Sequence, residues 1–288
     1  MNEITLQAPG KINLGLDIVG KTENGYHLLK MVMQSVKLSD TITIKKLKDG
    51  NSTITLTTNK EELPTNCDNL IYKAANLLME EFHITDSVHI HLEKKIPIAA
   101  GMAGGSTDAA AVLKGMNTLF CLSLTQENLM KRGVTLGADI PYCILGGTAL
   151  SEGIGEILTP IPSSLNGYII LVKPPVNVST KWAYQNFKKE LVTKSPDIDL
   201  VVDSLKKNDL STACTGMENV LEAVTIPAHP VIKQIKMRMW ELGCSFSLMS
   251  GSGPTVFGLC AEKDKAESIT ETLTNEFSDS FVTLTTYQ

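Results

Sequence analysis

The stretch that decides the fold reads Ile96-Pro97-Ile98-Ala99-Ala100-Gly101-Met102-Ala103-Gly104-Gly105-Ser106-Thr107-Asp108-Ala109-Ala110-Ala111-Val112-Leu113. Three glycines stand among small residues, and a run of strong helix formers follows them. Ser106, Thr107 and Asp108 are residue types that favour the start of a helix. Glycine allows close approach of a ligand to the backbone, and the first N–H groups of a helix have no intrahelical acceptor. The stretch therefore predicts a phosphate-binding loop that opens a helix, with a simple turn between sheet and helix as the alternative.

Two common phosphate-binding motifs are absent from this loop. A GxxxxGK[ST] motif would need Gly-Lys in the window opened by Gly101, where Ser106-Thr107 stands instead. A GxGxxG motif would need glycine at position 103, which is Ala103. The loop is therefore neither a Walker loop nor a dinucleotide fingerprint.

Composition places the chain among ordinary globular proteins. It has 288 residues, of which 43% are hydrophobic and 20% charged, and its 26 basic and 31 acidic residues give a net charge of −5. This charge argues against nucleic acid or an anionic membrane surface as a partner. The first residues lack the apolar core of a signal sequence, so the expected location is the cytoplasm. The six cysteines contain no CxxC spacing and the five histidines no HxxxH spacing, so we expect free thiols and no metal site.

Strand and helix patterns alternate along the chain and predict an α+β protein. The predicted strands are Ile4–Ala8, Ile12–Val19, Leu28–Lys46, Ser52–Thr58, Val88–Glu93, Tyr168–Val172, Ser245–Met249, Thr255–Cys260 and Phe281–Thr285. The predicted helices are Leu70–Phe82, one from the loop to Leu119, Gln126–Leu136, Thr180–Glu190, Asp197–Lys206, His229–Leu242 and Glu262–Phe277. Leu158–Leu165, rich in proline and serine, reads as a linker. We therefore expect two domains, residues 1–160 and 161–288.

Three segments together resemble the GHMP kinases, the family of galactokinase, homoserine kinase and mevalonate kinase. They are Ala8-Pro9-Gly10-Lys11-Ile12-Asn13-Leu14, Pro97–Ala111 and the second glycine-rich turn, Met249–Val256. Taken alone, that turn fits a plain hairpin as well as an anion-binding nest. The segments occur in the family's order and span nearly the whole chain, although Gly10 replaces a frequent alanine and Met102 a frequent leucine. The resemblance implies a ribosomal-protein-S5-like N-terminal ATP domain and a C-terminal α/β sandwich domain, with a cleft between them.

The resemblance also implies ATP-dependent phosphorylation of a hydroxyl group, with Mg²⁺ as the accompanying metal. Lys11 and Asp139 match the family's catalytic residues, with Asp139 expected to lie at the end of a helix and to accept the proton of the attacking hydroxyl. The residues matched to the ATP phosphate site are Pro97, Ala99, Gly101, Met102, Ala103, Gly104, Gly105, Ser106 and Thr107. Lys94 and Lys95 either assist this site or form a solvated strand end, and Asp108 is expected to be a first-turn helix charge. No acidic Mg²⁺ ligand is assigned, and Ser106 is the expected contact.

Within the family, Gly25-Tyr26-His27 and Ala100–Ala110 resemble the branch whose substrate is a cytidine diphosphate-linked methylerythritol of the non-mevalonate isoprenoid route. That resemblance implies a cytosine pocket, in which Tyr26 stacks on the base and His27 meets its polar edge. Tyr184 is the candidate second ring, and Asn13 a candidate contact to the diphosphate or the sugar. The alternatives are purely structural roles, in which Tyr26 anchors a hairpin and Tyr184 packs in the core.

Three other functions compete with this interpretation. Another small-molecule GHMP kinase, such as homoserine or mevalonate kinase, would not need the aromatic Tyr26. A catalytically inactive ligand-binding relative would not need both Lys11 and Asp139. A nucleic-acid role conflicts with the net charge of −5 and the absence of a basic aromatic stripe.

Overall fold

The computed structural model describes residues 1–288 as ten strands, ten α-helices and one 3₁₀ turn. The residues form two compact units that interleave along the chain. The first unit contains Met1–Gly10, Leu38–Ile96 and Ala103–Gly146, and the second contains Lys11–Lys37, Pro97–Met102 and Gly147–Gln288. The α+β class is confirmed. The division into residues 1–160 and 161–288 stays a prediction.

The first unit combines a sheet with four helices. Strand β1 (Glu3–Lys21) begins in the first unit, and β2 (His27–Leu47), with which it pairs, ends in the first unit. Strands β3 (Ile54–Thr58) and β4 (Ser87–Glu93) lie wholly within the first unit. β2 pairs antiparallel with β4, and β3 pairs parallel with β4. The helices are α1 (Leu70–Glu81), α2 (Gly104–Leu119), α3 (Gln126–Leu136) and α4 (Ile140–Leu145). Helix α2 packs against α1, α3 and α4, so the residues after the glycine loop form the centre of this helical layer.

The second unit contains two sets of strands. The beginning of β2 pairs with β5 (Thr148–Gly153), which also pairs with β6 (Ile157–Pro160). A separate antiparallel sheet has the order β10-β7-β9-β8 and contains β7 (Tyr168–Lys173), β8 (Phe246–Met249), β9 (Val256–Cys260) and β10 (Phe281–Thr286). The helices are α5 (Thr180–Asn186), α6 (Ile198–Lys206), α7 (Leu210–Gly216), α8 (Glu222–Ala228), α9 (Val231–Glu241) and α10 (Lys263–Glu276). Helices α9 and α10 pack on the separate sheet.

Local sequence signals account for half of the helix starts. Five helices begin where a short polar side chain accepts a hydrogen bond from a first-turn N–H group: Asn69 for α1, Thr125 for α3, Ser179 for α5, Asp197 for α6 and Asp209 for α7. Helix α1 then buries Ile71, Ala74 and Leu78 at helical spacing. None of the ten helices has the length and apolar character that a membrane span requires.

The structure corrects several secondary-structure expectations. The two predicted N-terminal strands are one strand, β1, which continues through Pro9-Gly10. A proline is tolerated there because β1 has one strand neighbour, and a residue on a free edge needs no ladder hydrogen bond. The first three residues of the predicted linker, 158–160, belong to β6, which pairs with β5. Helix α5 ends at Asn186 rather than Glu190, and strand β5 and helices α4, α7 and α8 were not predicted.

Candidate active site

Lys11 and Asn13 lie two residues apart on β1, in the second unit, so their side chains share one face of the strand. Lys11 is only 5% exposed, and its Nζ donates to Asn13 Oδ1 at 2.6 Å and to the carbonyl oxygen of Gly101 at 3.2 Å. Both acceptors are uncharged. A buried ammonium group whose partners are neutral dipoles retains an unsatisfied positive charge, and this favours an anionic ligand.

The first part of the glycine loop is fixed in the second unit by contacts on both sides of Gly101. The backbone N–H of Lys11 donates to the carbonyl of Met102 at 3.1 Å, and Ser250 Oγ donates to the carbonyl of Gly101 at 3.0 Å. Gly101 has φ +70°, and a Cβ there would collide with the carbonyl oxygen of Ser250 and lie 3.0 Å from that of Gly253. The left-handed backbone conformation of Gly101 and the short distance to the backbone of Ser250 and Gly253 therefore both require glycine at this position.

The second glycine-rich turn is a hairpin between β8 and β9, and it also borders Lys11. Within the turn, Ser250 N–H donates to the carbonyl of Thr255 at 2.8 Å. Asn219 Nδ2 supports the turn by donating to the carbonyl oxygens of Met249 and Gly251, each at 2.8 Å. A Cβ at Gly251 would lie 3.3 Å from Lys11 Nζ. Sequence reasoning missed Asn219, because nothing near it in the chain indicates a contact thirty residues away.

In the first unit, the loop continues into α2. Ala103 precedes the helix in the left-handed region, at φ 56°, without a side-chain cap. Thr107 N–H makes the first intrahelical bond, to the carbonyl of Ala103 at 2.9 Å, so the N–H groups of Gly104, Gly105 and Ser106 have no intrahelical acceptor. The Thr107 hydroxyl donates to the carbonyl of Pro9 at 2.7 Å, which anchors the helix start to β1. These backbone N–H groups and the half-buried Ser106 leave the start of α2 able to bind an anion, and phosphate binding by this loop stays a prediction.

Beneath this helix start lies a buried ionic cluster formed by Asp40, Lys94 and Asp108. Lys94 Nζ contacts Asp40 Oδ2 at 2.6 Å and Asp108 Oδ2 at 2.7 Å, and all three residues are buried. Asp40 Oδ1 also accepts hydrogen bonds from the N–H groups of Lys95 and Ile96. Lys94 is thus neither a solvated strand end nor free to contact phosphates. Asp108 is not a first-turn helix charge, because its carboxylate is buried against Lys94.

Asp108 is the least compensated member of the cluster. Its Oδ1 is buried without a hydrogen-bond partner. Burial, with the nearby charge of Asp40, raises the pKa of Asp108 to about 8 in spite of Lys94. A Cβ on Gly104 would lie 2.8 Å from Lys94 Nζ, so the ammonium group sits directly against the backbone of the helix start.

Asp139 lies in the short connection after α3 and occupies the N-cap position of α4. It therefore follows the end of one helix, as expected, and also precedes a second helix. That second helix was not predicted, because α4 is short and has Pro141 in its first turn, a pattern that is easily read as a loop. The half-buried carboxylate does not cap the helix, since no side-chain cap bond forms. Lys114 Nζ donates to the carbonyl of Cys143 at 3.3 Å and so supports the other end of α4, while burial lowers the pKa of Lys114.

A cavity of about 580 Å³ lies within the second unit and brings together Tyr26, His27 and Tyr184. Its lining is Lys21, Gly25, Tyr26, His27, Leu29, Ile154, Thr180, Lys181, Tyr184 and Gln185. The volume falls in the usual range for small-molecule sites. The turn that presents Tyr26 is closed by a bond from Thr22 N–H to the Tyr26 carbonyl at 2.8 Å, and Gly25 in it has φ +83°.

The aromatic side chains at this cavity pack against one another. The centroids of His27 and Tyr184 lie 5.4 Å apart with an interplanar angle of 31°, and Phe187 meets His27 edge-on at 6.0 Å. Tyr26 is 64% exposed, which leaves its ring face open to a ligand. His27 Nε2 is buried without a hydrogen-bond partner. The pKa of His27 is lowered, mainly by burial and to a smaller extent by the positive charge of Lys21. Trp182, on the same helix as Tyr184, contacts His229 instead of lining the cavity.

The chain offers no carboxylate cage for a metal ion. No group of three or more His, Cys, Asp or Glu side chains is placed to hold one. Mg²⁺ commonly keeps several waters and binds through substrate phosphates with few protein ligands. The residues present therefore fit a magnesium ion that arrives with a nucleotide, and the contact from Ser106 stays a prediction.

Models of the GHMP kinase family match an N-terminal and a C-terminal part of this chain. The description "GHMP kinases N terminal domain" matches residues 69–147, and "GHMP kinases C terminal" matches residues 184–279. The 4-diphosphocytidyl-2-C-methyl-D-erythritol kinase of Lachnoclostridium phytofermentans is 54% identical over 93% of this chain and 91% of its own length. The enzyme of the same name from Acetivibrio thermocellus is 47% identical over 99% of this chain and all of its own.

Solved structures agree with these sequence matches. A crystal structure of 4-(cytidine 5'-diphospho)-2C-methyl-D-erythritol kinase superposes with a TM-score of 0.83 at 30% identity, covering 99% of this chain and 100% of that one. Homoserine kinase from Cytophaga hutchinsonii superposes with a TM-score of 0.78 at 19% identity, covering 100% and 95%, which supports the fold alone. The chain therefore belongs to the 4-diphosphocytidyl-2-C-methyl-D-erythritol kinase family, ATP-dependent enzymes within the GHMP kinases.

Proposed function

We propose that this enzyme transfers the γ-phosphoryl group of ATP to the 2-hydroxyl of 4-diphosphocytidyl-2-C-methyl-D-erythritol, a step of the non-mevalonate isoprenoid route. The observation that carries this proposal is the cavity in which Tyr26, His27 and Tyr184 meet. Homoserine and mevalonate carry no ring that could stack on these side chains. A cytosine base offers a face for stacking and a polar edge for the unpartnered His27 Nε2.

Phosphoryl transfer requires that the reactants be aligned and that the negative charge on the phosphates be neutralised. The loop residues assigned to the ATP phosphates are Pro97, Ala99, Gly101, Met102, Ala103, Gly104, Gly105, Ser106 and Thr107. The open N–H groups of Gly104–Ser106 and the positive end of α2 support that assignment. Thr107 would contribute through its position in the helix start, because its hydroxyl is bonded to Pro9. ATP would enter with Mg²⁺, which neutralises charge on the phosphates.

Lys11 and Asp139 are proposed to act on the reacting groups. Asp139 would accept the proton of the 2-hydroxyl as the oxygen forms a bond to the γ-phosphorus and the bond from that phosphorus to ADP breaks. Its carboxylate is not used as a helix cap, so it is available as a proton acceptor. Lys11 would offset negative charge on the transferring group, since its buried ammonium has only uncharged partners.

Asn13 is better suited to hold Lys11 than to bind the substrate. The side chain is fully buried, its Oδ1 accepts from Lys11 Nζ, and its Nδ2 faces Met31 Sδ at 3.3 Å. We therefore propose Asn13 as a positioning residue for Lys11, with any substrate contact secondary to that role.

The experiment that tests this function is identification of the product by phosphorus and carbon NMR. The enzyme is incubated with the cytidyl substrate and magnesium ATP. We expect stoichiometric ADP and one new phosphate monoester on the carbon that bears the 2-hydroxyl. Phosphorylation of another hydroxyl, or ATP consumption that is independent of the acceptor, would contradict the proposal.

A further inference from the structure

The cavity that holds Tyr26, His27 and Tyr184 has an unbalanced charge. Its lining contains two cations, Lys21 and Lys181, and no carboxylate. Neither ammonium group forms an ion pair with an acidic residue of the chain. Two uncompensated positive charges beside an aromatic site favour a ligand that carries negative charge next to its ring.

The two lysines come from different elements and flank the aromatic residues. Lys21 is the last residue of β1 and precedes the turn that presents Tyr26. Lys181 lies in α5 three residues before Tyr184, a spacing that places the two side chains on the same side of the helix. Lys21 is also close to His27, whose pKa is lowered by burial and then by the charge of Lys21. The charges are therefore close to the rings that would hold a base.

We propose that Lys21 and Lys181 bind the diphosphate of the cytidyl substrate and make the site specific for a nucleoside diphosphate derivative over an uncharged polyol. The inference rests on the proposed function, since the rings are taken to hold the cytosine. Two ammonium groups match the two phosphates of such a ligand, and a lysine contacts phosphate as a flexible point charge. A free polyol would leave both lysines without partners.

The test compares the binding of cytidine with that of cytidine 5′-diphosphate by titration calorimetry. A saturating non-hydrolysable ATP analogue occupies the ATP site, so that the added diphosphate cannot bind there. The variants are Lys21→Met and Lys181→Met, which keep the apolar stem and remove the charge. Lys188→Met is the matched control, because Lys188 is exposed, follows the same helix and does not line the cavity.

We expect the native enzyme to bind the diphosphate more tightly than cytidine, and added salt to reduce that advantage. Each lysine variant should weaken diphosphate binding by about three- to tenfold and leave cytidine binding within about twofold. Lys21→Arg should restore most of the advantage, whereas Lys188→Met should change neither ligand.

The outcomes separate this inference from the proposed function. If the native enzyme binds both ligands but the lysine variants keep the full advantage of the diphosphate, the lysine assignment is wrong and the cytosine pocket stands. Equal weakening of cytidine and the diphosphate would also overturn the assignment, because it would indicate a structural role. If the native enzyme binds neither ligand, the cytosine pocket itself is refuted and the lysine assignment falls with it.

Discussion

Lys11 Nζ donates to Asn13 Oδ1 at 2.6 Å, on one face of β1 and away from solvent. Lys11 is the group proposed to neutralise charge on the transferring phosphoryl group. The uncharged side-chain amide of Asn13 sets the direction in which its ammonium group points. A carboxylate in place of Asn13 would cancel the charge that the reaction needs, whereas an amide orients the ammonium and leaves its charge in effect.

Lys11→Met should reduce kcat by at least about 100-fold, because removal of one positioned group that stabilises transition-state charge has effects of that size. Asn13→Ala should lower kcat by less, since Lys11 keeps its bond to the Gly101 carbonyl. Steady-state kinetics with both substrates checks the order of the two effects. Lys45→Met, which alters an exposed strand lysine, is the control and should behave like the native enzyme. A larger loss in Asn13→Ala than in Lys11→Met would refute the assignment.

Asp139→Asn should retain ATP binding and lose turnover. The amide keeps the size of the side chain at the start of α4 but cannot accept the hydroxyl proton, so kcat should fall about 10²- to 10⁴-fold. Nucleotide affinity by calorimetry and kcat by ADP release measure the two effects separately. Asp279→Asn, at an exposed position, provides the matched control. Undiminished turnover in Asp139→Asn would remove Asp139 from the mechanism.

Tyr26→Ala and Tyr184→Ala should raise KM for the cytidyl substrate and leave KM for ATP unchanged. Loss of one base–aromatic stack is worth about 1–3 kcal/mol, which corresponds to a change of about 5- to 150-fold. Tyr184→Phe keeps the ring next to His27 and should retain most of the affinity. Equal increases in the two KM values would refute the cytosine pocket.

The ionic cluster predicts how stability depends on pH. Because the pKa of Asp108 is raised from 3.8 to about 8 in the folded protein, the folded state binds one more proton than the unfolded state between those values. The free energy of unfolding should therefore fall as pH rises from about 4 to about 8, and this decline should end above that range. Asp108→Asn removes the titrating group and keeps an oxygen acceptor for Lys94.

Urea unfolding at pH values from about 4 to above 8 measures this effect. The native protein should lose stability relative to Asp108→Asn as pH rises through this range. Parallel pH profiles for the two proteins would show that Asp108 is ionised throughout and would contradict the raised pKa.

Local patterns in the sequence predict much of this fold. Helices α1 and α3 begin where Asn69 and Thr125 supply caps, so their starts were predicted correctly. The helix that follows Asp139 was missed, because six residues beginning Ile-Pro carry too little periodicity to distinguish a short helix from a loop. β6 was missed because it forms by pairing with β5, which the local sequence does not indicate. The prolines nearby instead favour a linker.

The candidate site shows the same division between local and long-range information. The glycines of the loop indicate close backbone approach, and the structure shows this at Gly101. The burial of Lys94 and Asp108 could not be read from the chain, because their partner Asp40 lies more than fifty residues before them. The grouping of Tyr26 with Tyr184 came from the family resemblance, since the two residues are far apart in sequence and meet only through folding.

The measurement that tests the central claim most directly is ADP release with magnesium ATP and each of four acceptors in turn. The acceptors are the cytidyl methylerythritol, homoserine, mevalonate and galactose. The account predicts turnover with the cytidyl compound alone, and no ADP above background with the other three. Turnover with one of those three, at a rate equal to or above that with the cytidyl compound, would contradict it.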